Sequence, residues 1–322
     1  MPNLKQKLYQ MFILGTEGDG YIDALKNNLG GIIFFTHDIQ SENQFKMLTK
    51  KCLENAVTTP FLSIDQEGGR VERTENIHNG KKYLSAKFAY AKGLDFLKAQ
   101  TEDIAHELKN YGLNLNFAPC IDVNTNPNNP IIGERAFSSN PDDVIEGGKL
   151  VATVYRDNDI LPCIKHFPGH GDADSDSHKT LPEIKIPFEE LEQFHIKPFK
   201  SLIEDGIEMV MVAHLFIPHF EKNVIPTSLS KNAIDYLRNT LNFEGVTVSD
   251  DMIMKGVSKF GSVKACEMGI RAGLNMFIYR NSNPETISII EEIYKMALDD
   301  VELSQNIEKS FEKISKLKEK IK

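Results

Sequence analysis

The chain predicts one (β/α)8 barrel of the TIM type, a single α/β domain over residues 1–322, and three observations carry that expectation. Eight short apolar runs recur, mostly followed by turn residues and then a longer helical pattern. Continuous apolar runs of this length suit parallel strands buried on both faces, and strands alternating with helices in this number make a barrel. Six of the runs lead into ionisable residues, and in parallel α/β folds the C-terminal strand ends form the active face. A doubly wound sheet is the structural alternative.

The first run is MFIL (11–14). The second, GIIFFT (31–36), leads into His37 and Asp38, and the amphipathic NQFKMLTKKCLENA (43–56) follows as a helix. The third, PFLSID (60–65), ends on Asp65 and opens a long excursion from 66 to 112. The fourth, LNLNFAP (113–119), leads to Asp122 and into a second excursion, 120–160, whose first part is dense in Asn, Pro and Gly. Long loops inside a compact domain are usually functional or disordered. The fifth run, LPCIKHF (161–167), carries His166, and the sixth, EMVMVAHL (208–215), carries His214. The seventh, GVTVSDD (245–251), ends on Asp250 and Asp251, and NMFIYR (275–280) is the eighth. Helical patterns over 285–300 and 302–320 complete the barrel exterior.

With 41% hydrophobic residues the chain can bury a sizeable core. A net charge of −9 argues against a nucleic-acid or anionic-membrane surface. Tryptophan is absent, which is unusual for a sugar-binding protein, although other aromatics can stack. Cys52, Cys120, Cys163 and Cys266 are scattered without a C-x-x-C pair, as for buried residues of a reduced compartment. The apolar run at Met11–Leu14 is too short for an export signal and no segment approaches a membrane span, so the cytoplasm is the expected location.

The stretch 165-KHFPGHGDADSDSHKTLPE-183 holds three histidines and three aspartates. Asp172, Asp174 and Asp176 with Glu183 match a calcium-loop count, but Ser177 stands where the turn needs glycine. Zinc through His166 and His170 needs a shared helical face, which Pro168 and Gly169 oppose. No metal and no cofactor is therefore expected. A hydrated loop is the bland alternative. Against it stands Asp176-Ser177-His178, because a carboxylate beside an imidazole fixes its tautomer and makes a general acid–base. Gly169 and Gly171 read as hinges at the root of that loop.

An aspartate from VTVSDD supplies a nucleophile, and the pair describes retaining glycoside hydrolysis through a covalent intermediate. Alternation puts Val246, Val248 and Asp250 on one side of the strand and Thr247, Ser249 and Asp251 on the other. Asp65, Arg73 and Arg135 then suit a grip on sugar hydroxyls, although each arginine taken singly fits a loop salt bridge equally well.

These residues resemble glycoside hydrolase family 3, in its single-domain β-N-acetylglucosaminidase branch. The motifs are 65-DQEGGRVER-73, 122-DVNTNPNNPIIGERAF-137, 165-KHFPGHGDADSDSHKTLP-182, 213-AH-214 and 249-SDD-251, in this order over nearly the whole chain. The resemblance implies Asp250 as nucleophile, His178 as acid–base and Asp176 as its partner. It also implies that Asp65, Arg73, Arg135, Lys165 and His166 bind the N-acetylglucosamine ring. The substrate it implies is a terminal β-linked N-acetylglucosamine on a muropeptide or other glycoside in cell-wall recycling, handled by a monomer. Met252 and Ala136 depart from the family pattern, away from the chemistry. A phosphorylase using the same residues, a silent sugar-binding barrel, and a metal-dependent hydrolase through His166, His170 and Asp65 are the competing readings.

Overall fold

Strand β1 (Phe12–Glu17) pairs on one side with β2 (Gly31–Phe34) and on the other with β8 (Met276–Asn281), and this double pairing closes the sheet. Between them run β3 (Phe61–Ile64), β4 (Leu115–Asn116), β5 (Leu161–Phe167), β6 (Met209–Val212) and β7 (Val246–Asp251). Every neighbouring pair is parallel and the strand order follows the chain, so the molecule is the expected eight-stranded TIM-type barrel. The computed structural model describes residues 2–78, 82–173 and 181–321.

The apolar runs are apolar because both strand faces are covered. Ile13, Ile32, Leu62, Ile164, Val210 and Val248 are all fully buried, and each such side chain contributes about 1.5–3 kcal/mol of burial. Only β4 departs from expectation, with two ladder residues in place of a full strand. Side-chain amides add to the backbone pairing there. Asn114 accepts from Leu62 N at 2.9 Å and donates to Pro60 O at 3.1 Å. Asn116 accepts from Gln66 N at 2.9 Å and donates to Gln66 O at 2.8 Å. The chain stays between its neighbours beyond Pro119, where Ile121 N donates to Lys165 O at 2.9 Å.

The helices start where the local chemistry lets them. Ser41 caps Glu42–Asn55, Asn140 caps Pro141–Asp157, and Asn283 caps Pro284–Asp299, the last two with proline in the first turn, where no N–H is needed. The first excursion is not structureless, since it folds into Ala86–Ala91 and Leu94–Asn110. The second keeps an irregular segment before Pro141–Asp157. The last helix, Val301–Lys318, buries Leu303, Ile307, Ile314 and Leu317 and packs against Leu4–Gln10 and Ser262–Ala272. All four cysteines are buried and free. Among the described residues no helix is long and apolar enough to cross a membrane.

One ion is misplaced by these rules. The Lys318 ammonium lies 5.0 Å from the centre of the Phe61 ring, and its Nζ is buried with no hydrogen-bond partner among the described residues. Burial pulls its pKa down to about 7. The unfolded chain therefore binds more protons between that value and the ordinary lysine range, so this residue makes stability rise with pH across that window. Lys318→Met is expected to stabilise the fold by about 1–2 kcal/mol at pH 6, the part of the burial cost that survives partial hydration. The gain should shrink toward pH 10, as read by thermal unfolding at both pH values.

Candidate active site

The C-terminal strand ends converge as expected, and their charges pair across the barrel mouth. Lys165, on β5, is buried, with Nζ 2.6 Å from Asp65 Oδ1 and 2.6 Å from Glu67 Oε1. Arg135, from the 3-10 turn Gly133–Arg135, grips the same Glu67 with both oxygens engaged, Nε to Oε2 at 2.9 Å and Nη2 to Oε1 at 2.8 Å. Burial alone would raise the Glu67 carboxyl, but Arg135 and Lys165 hold it far below the usual carboxylate range. Burial likewise opposes the charge on Lys165, and the Asp65 and Glu67 carboxylates reverse that and push it up. Two cations and two anions thus form a neutral buried network in which each charge has a close partner.

Asp122 organises a second network. Its Oδ2 lies 2.7 Å from His166 Nδ1, and its Oδ1 accepts from His170 N at 2.6 Å. A carboxylate only accepts, so Nδ1 of His166 donates and Nε2 is left as acceptor toward Arg135 Nη2 at 3.3 Å. Burial would raise the Asp122 carboxyl, yet His166, His170 and their hydrogen bonds hold it very low. Among the described residues Cys120, Asp122 and His166 bring three possible metal-ligand atoms within 4.8 Å of one another. Here the Asp122 oxygens already receive protein donors, Cys120 Sγ at 3.3 Å included. His170, the other histidine of the zinc pattern, is pulled down to about 4 by burial.

The two aspartates of β7 separate as alternation predicts. Asp251 ion-pairs with Arg280 and accepts from Ile253 N at 3.2 Å, while Asp250 accepts the Asp251 N–H at 2.7 Å. Burial pushes Asp250 up, but the His166 and His214 imidazoles, that N–H and Lys165 outweigh it and hold the carboxyl at about 2. His214 is buried on β6's extension, between Ser228 Oγ at 2.7 Å and Asp251 O at 3.2 Å, and burial lowers its pKa.

Arg73 stands 5.8 Å over the Phe35 ring, its backbone N–H held by Gln66 Oε1 at 2.7 Å. Its buried Nε has no hydrogen-bond partner among the described residues. Asp65, Arg135, Lys165, His166 and Asp250 are thus linked through contacts and near charges, with Arg73 approaching from the segment after β3. Asp174, Asp176 and His178 lie outside the described residues. The root of their loop is described, and it is clamped: Asn129 Nδ2 donates to His170 O at 2.8 Å, and Asn126 N to Gly171 O at 3.3 Å. Gly169 and Gly171 give clearance there, since a Cβ on Gly171 would fall 1.7 Å from Val123 O and one on Gly169 2.5 Å from His195 Cβ. Glu67 is not among the residues expected from the sequence. No sequence signal singles it out, because its partners Arg135 and Lys165 lie far along the chain and meet it only in the fold.

Comparison with known proteins agrees with this fold. The family model described as the glycosyl hydrolase family 3 N-terminal domain matches residues 3–317. A β-hexosaminidase of Methylococcus capsulatus is 31% identical over 82% of this chain and 79% of that protein. β-Hexosaminidase A of Pseudoalteromonas piscicida is 31% identical over 91% of this chain but 54% of its own length, so the chain spans about half of that relative. The structure of a glycoside hydrolase family 3 β-N-acetylglucosaminidase from Paenibacillus sp. str. FPU-7 superposes with a TM-score of 0.92 at 31% identity, covering 99% of this chain and 62% of that one. With its barrel closed in chain order and all but its extreme ends matched, the chain belongs to glycosyl hydrolase family 3.

Proposed function

We propose that this protein is a retaining exo-β-N-acetylglucosaminidase that releases terminal β-linked N-acetylglucosamine, with muropeptides of peptidoglycan recycling as natural substrates. The observation that carries the reading is the state of Asp250: a carboxylate held at about 2 at the mouth of the barrel, beside His166 and Lys165, while its neighbour Asp251 is committed to Arg280. A nucleophile must be ionised and free to attack, and Asp250 meets both demands better than Asp251, whose pKa burial raises.

In this reading an Asp250 oxygen attacks the anomeric carbon as the glycosidic C–O bond breaks, and the protonated His178 donates to the leaving oxygen. His178 then takes a proton from water, which displaces Asp250 from the sugar and restores the original configuration. Asp176 holds the His178 ring. Asp65, Arg73, Arg135, Lys165 and His166 bind the sugar, and Arg73 is the best placed to gain a partner, because its Nε lacks one among the described residues. The relatives' names, β-hexosaminidase and β-N-acetylglucosaminidase, support the choice of sugar.

Asp250→Ala is expected to remove nearly all activity on aryl N-acetyl-β-glucosaminides, a loss of about 10⁴-fold or more. In kcat/KM, which reports the first step, His178→Ala should lose about 10²-fold or more on a phenol-type leaving group and far less on dinitrophenol, which departs without protonation. Equal, negligible effects of both changes would overturn the assignment. Because Asp250 ionises near 2, the carboxylate nucleophile adds no acid limb above pH 4, and the alkaline limb of kcat/KM belongs to His178 losing its proton. A neighbouring carboxylate favours the imidazolium, so Asp176→Asn should move that limb to lower pH by about one unit. Turnover with and without phosphate separates hydrolysis from phosphorolysis. Free N-acetylglucosamine is the expected product in both, and a sugar 1-phosphate would sink the hydrolase reading.

A further inference from the structure

His195 belongs to neither network, yet it is almost wholly buried at 1% exposure. It sits in the π-helical turn Leu191–Ile196 that precedes the helix Lys197–Glu204. Such turns are rare and less well hydrogen-bonded than an α-helix, and they recur where a side chain is needed in a particular place. The ring meets the root of the loop after β5 from behind. Gly169, with φ +128°, packs on it so closely that an added Cβ would come within 3.3 Å of Nδ1. On its other edge Nε2 lies 3.3 Å from Thr125 Oγ1, which in turn lies 3.3 Å from Asp172 Oδ1.

Counting hydrogens sets the direction of this chain. The Thr125 hydroxyl has one hydrogen, and an ionised Asp172 can only accept, so Thr125 donates to Asp172. His195 Nε2 must then donate to Thr125. The ring is left as the Nε2–H tautomer with a bare Nδ1, and Nδ1 is the buried nitrogen that has no hydrogen-bond partner among the described residues. Burial lowers the His195 pKa despite the Asp122, Asp172 and Glu190 charges, in keeping with a neutral ring.

We propose that His195 is a positioning residue: through Thr125 it fixes Asp172 at the root of the loop that carries Asp176 and His178. Asn126 and Asn129 hold the same root from the segment after β4. His195 adds a strut from a different element, and Asp172, which the calcium count singled out, gains a structural task. This inference rests on His178 being the acid–base of the proposed reaction.

The test compares His195→Leu, Thr125→Val and His195→Gln with wild type on two aryl N-acetyl-β-glucosaminides, one with a phenol-type and one with a dinitrophenol leaving group. Misaiming the acid costs most where the leaving group needs a proton. His195→Leu and Thr125→Val are expected to lose about tenfold in kcat/KM, which reports the first step alone, on the phenol-type substrate and less than about twofold on the dinitrophenyl one. His195→Gln, which keeps an N–H in reach of Thr125, should recover most of the loss. Equal losses on both substrates, or none, would overturn the proposal, whatever the change in Tm. His178→Ala runs alongside: if it shows the leaving-group dependence and the His195 series does not, this inference alone falls. If His178→Ala shows none, the acid–base assignment falls and takes this inference with it.

Discussion

The site hangs on one carboxylate. Glu67 is held by Lys165 from β5 and by Arg135 from the turn at Gly133–Arg135, at distances between 2.6 and 2.9 Å. Three segments far apart in sequence meet on its two oxygens. Taking so many charges out of water costs several kcal/mol per ion unless each is paired, and breaking such a pair costs about 3–5 kcal/mol. The network therefore permits little drift. Whatever binds against Lys165, Arg135 and Asp65 meets groups whose positions are already fixed, so little ordering cost falls on binding.

Asp122 extends the same logic to the next layer. It fixes the His166 ring and, through His170 N, the first turn of the loop that follows. His166 touches Arg135 in turn, so the two networks are one connected system at 3.3 Å. Asp250 lies in the field of that system. Its low pKa arises from the surrounding imidazoles, the Asp251 N–H and Lys165 working against burial. In a poorly hydrated pocket such fixed dipoles and charges do what water would do elsewhere, without needing to reorganise.

Much of this was legible beforehand, for reasons that differ by residue. The barrel was readable because parallel strands covered on both faces leave unbroken apolar runs, and those runs survive in nearly every strand. Asp65, His166 and Asp250 stood out because each lies at or near the end of such a run, where an ionisable residue has no packing reason to be, whereas Lys165 was marked only by the family resemblance. The choice of Asp250 over Asp251 rested on the family resemblance, alternation only placing the two on opposite sides, and Asp251 is the one that pairs with Arg280. Glu67 and the tasks of Thr125 and His195 were not readable, because their meaning lies in partners tens of residues away. Gly169 and Gly171 were read as hinges from their residue type, whereas their surroundings show them filling spaces too small for a side chain.

The short fourth strand has a consequence for how this barrel ages and drifts. A ladder made by backbone groups is indifferent to the side chains it carries, so most strands tolerate any apolar residue of suitable shape. Along β4 the backbone rungs on the β3 side are flanked by rungs made by the amides of Asn114 and Asn116. Each uses its oxygen to accept and its nitrogen to donate. Conversion of either to aspartate, by mutation or by slow deamidation, would replace the donor with a second acceptor facing a carbonyl. A single lost nitrogen there would turn a rung of the barrel into a repulsion, with no change in the shape or hydrophobic pattern of the strand.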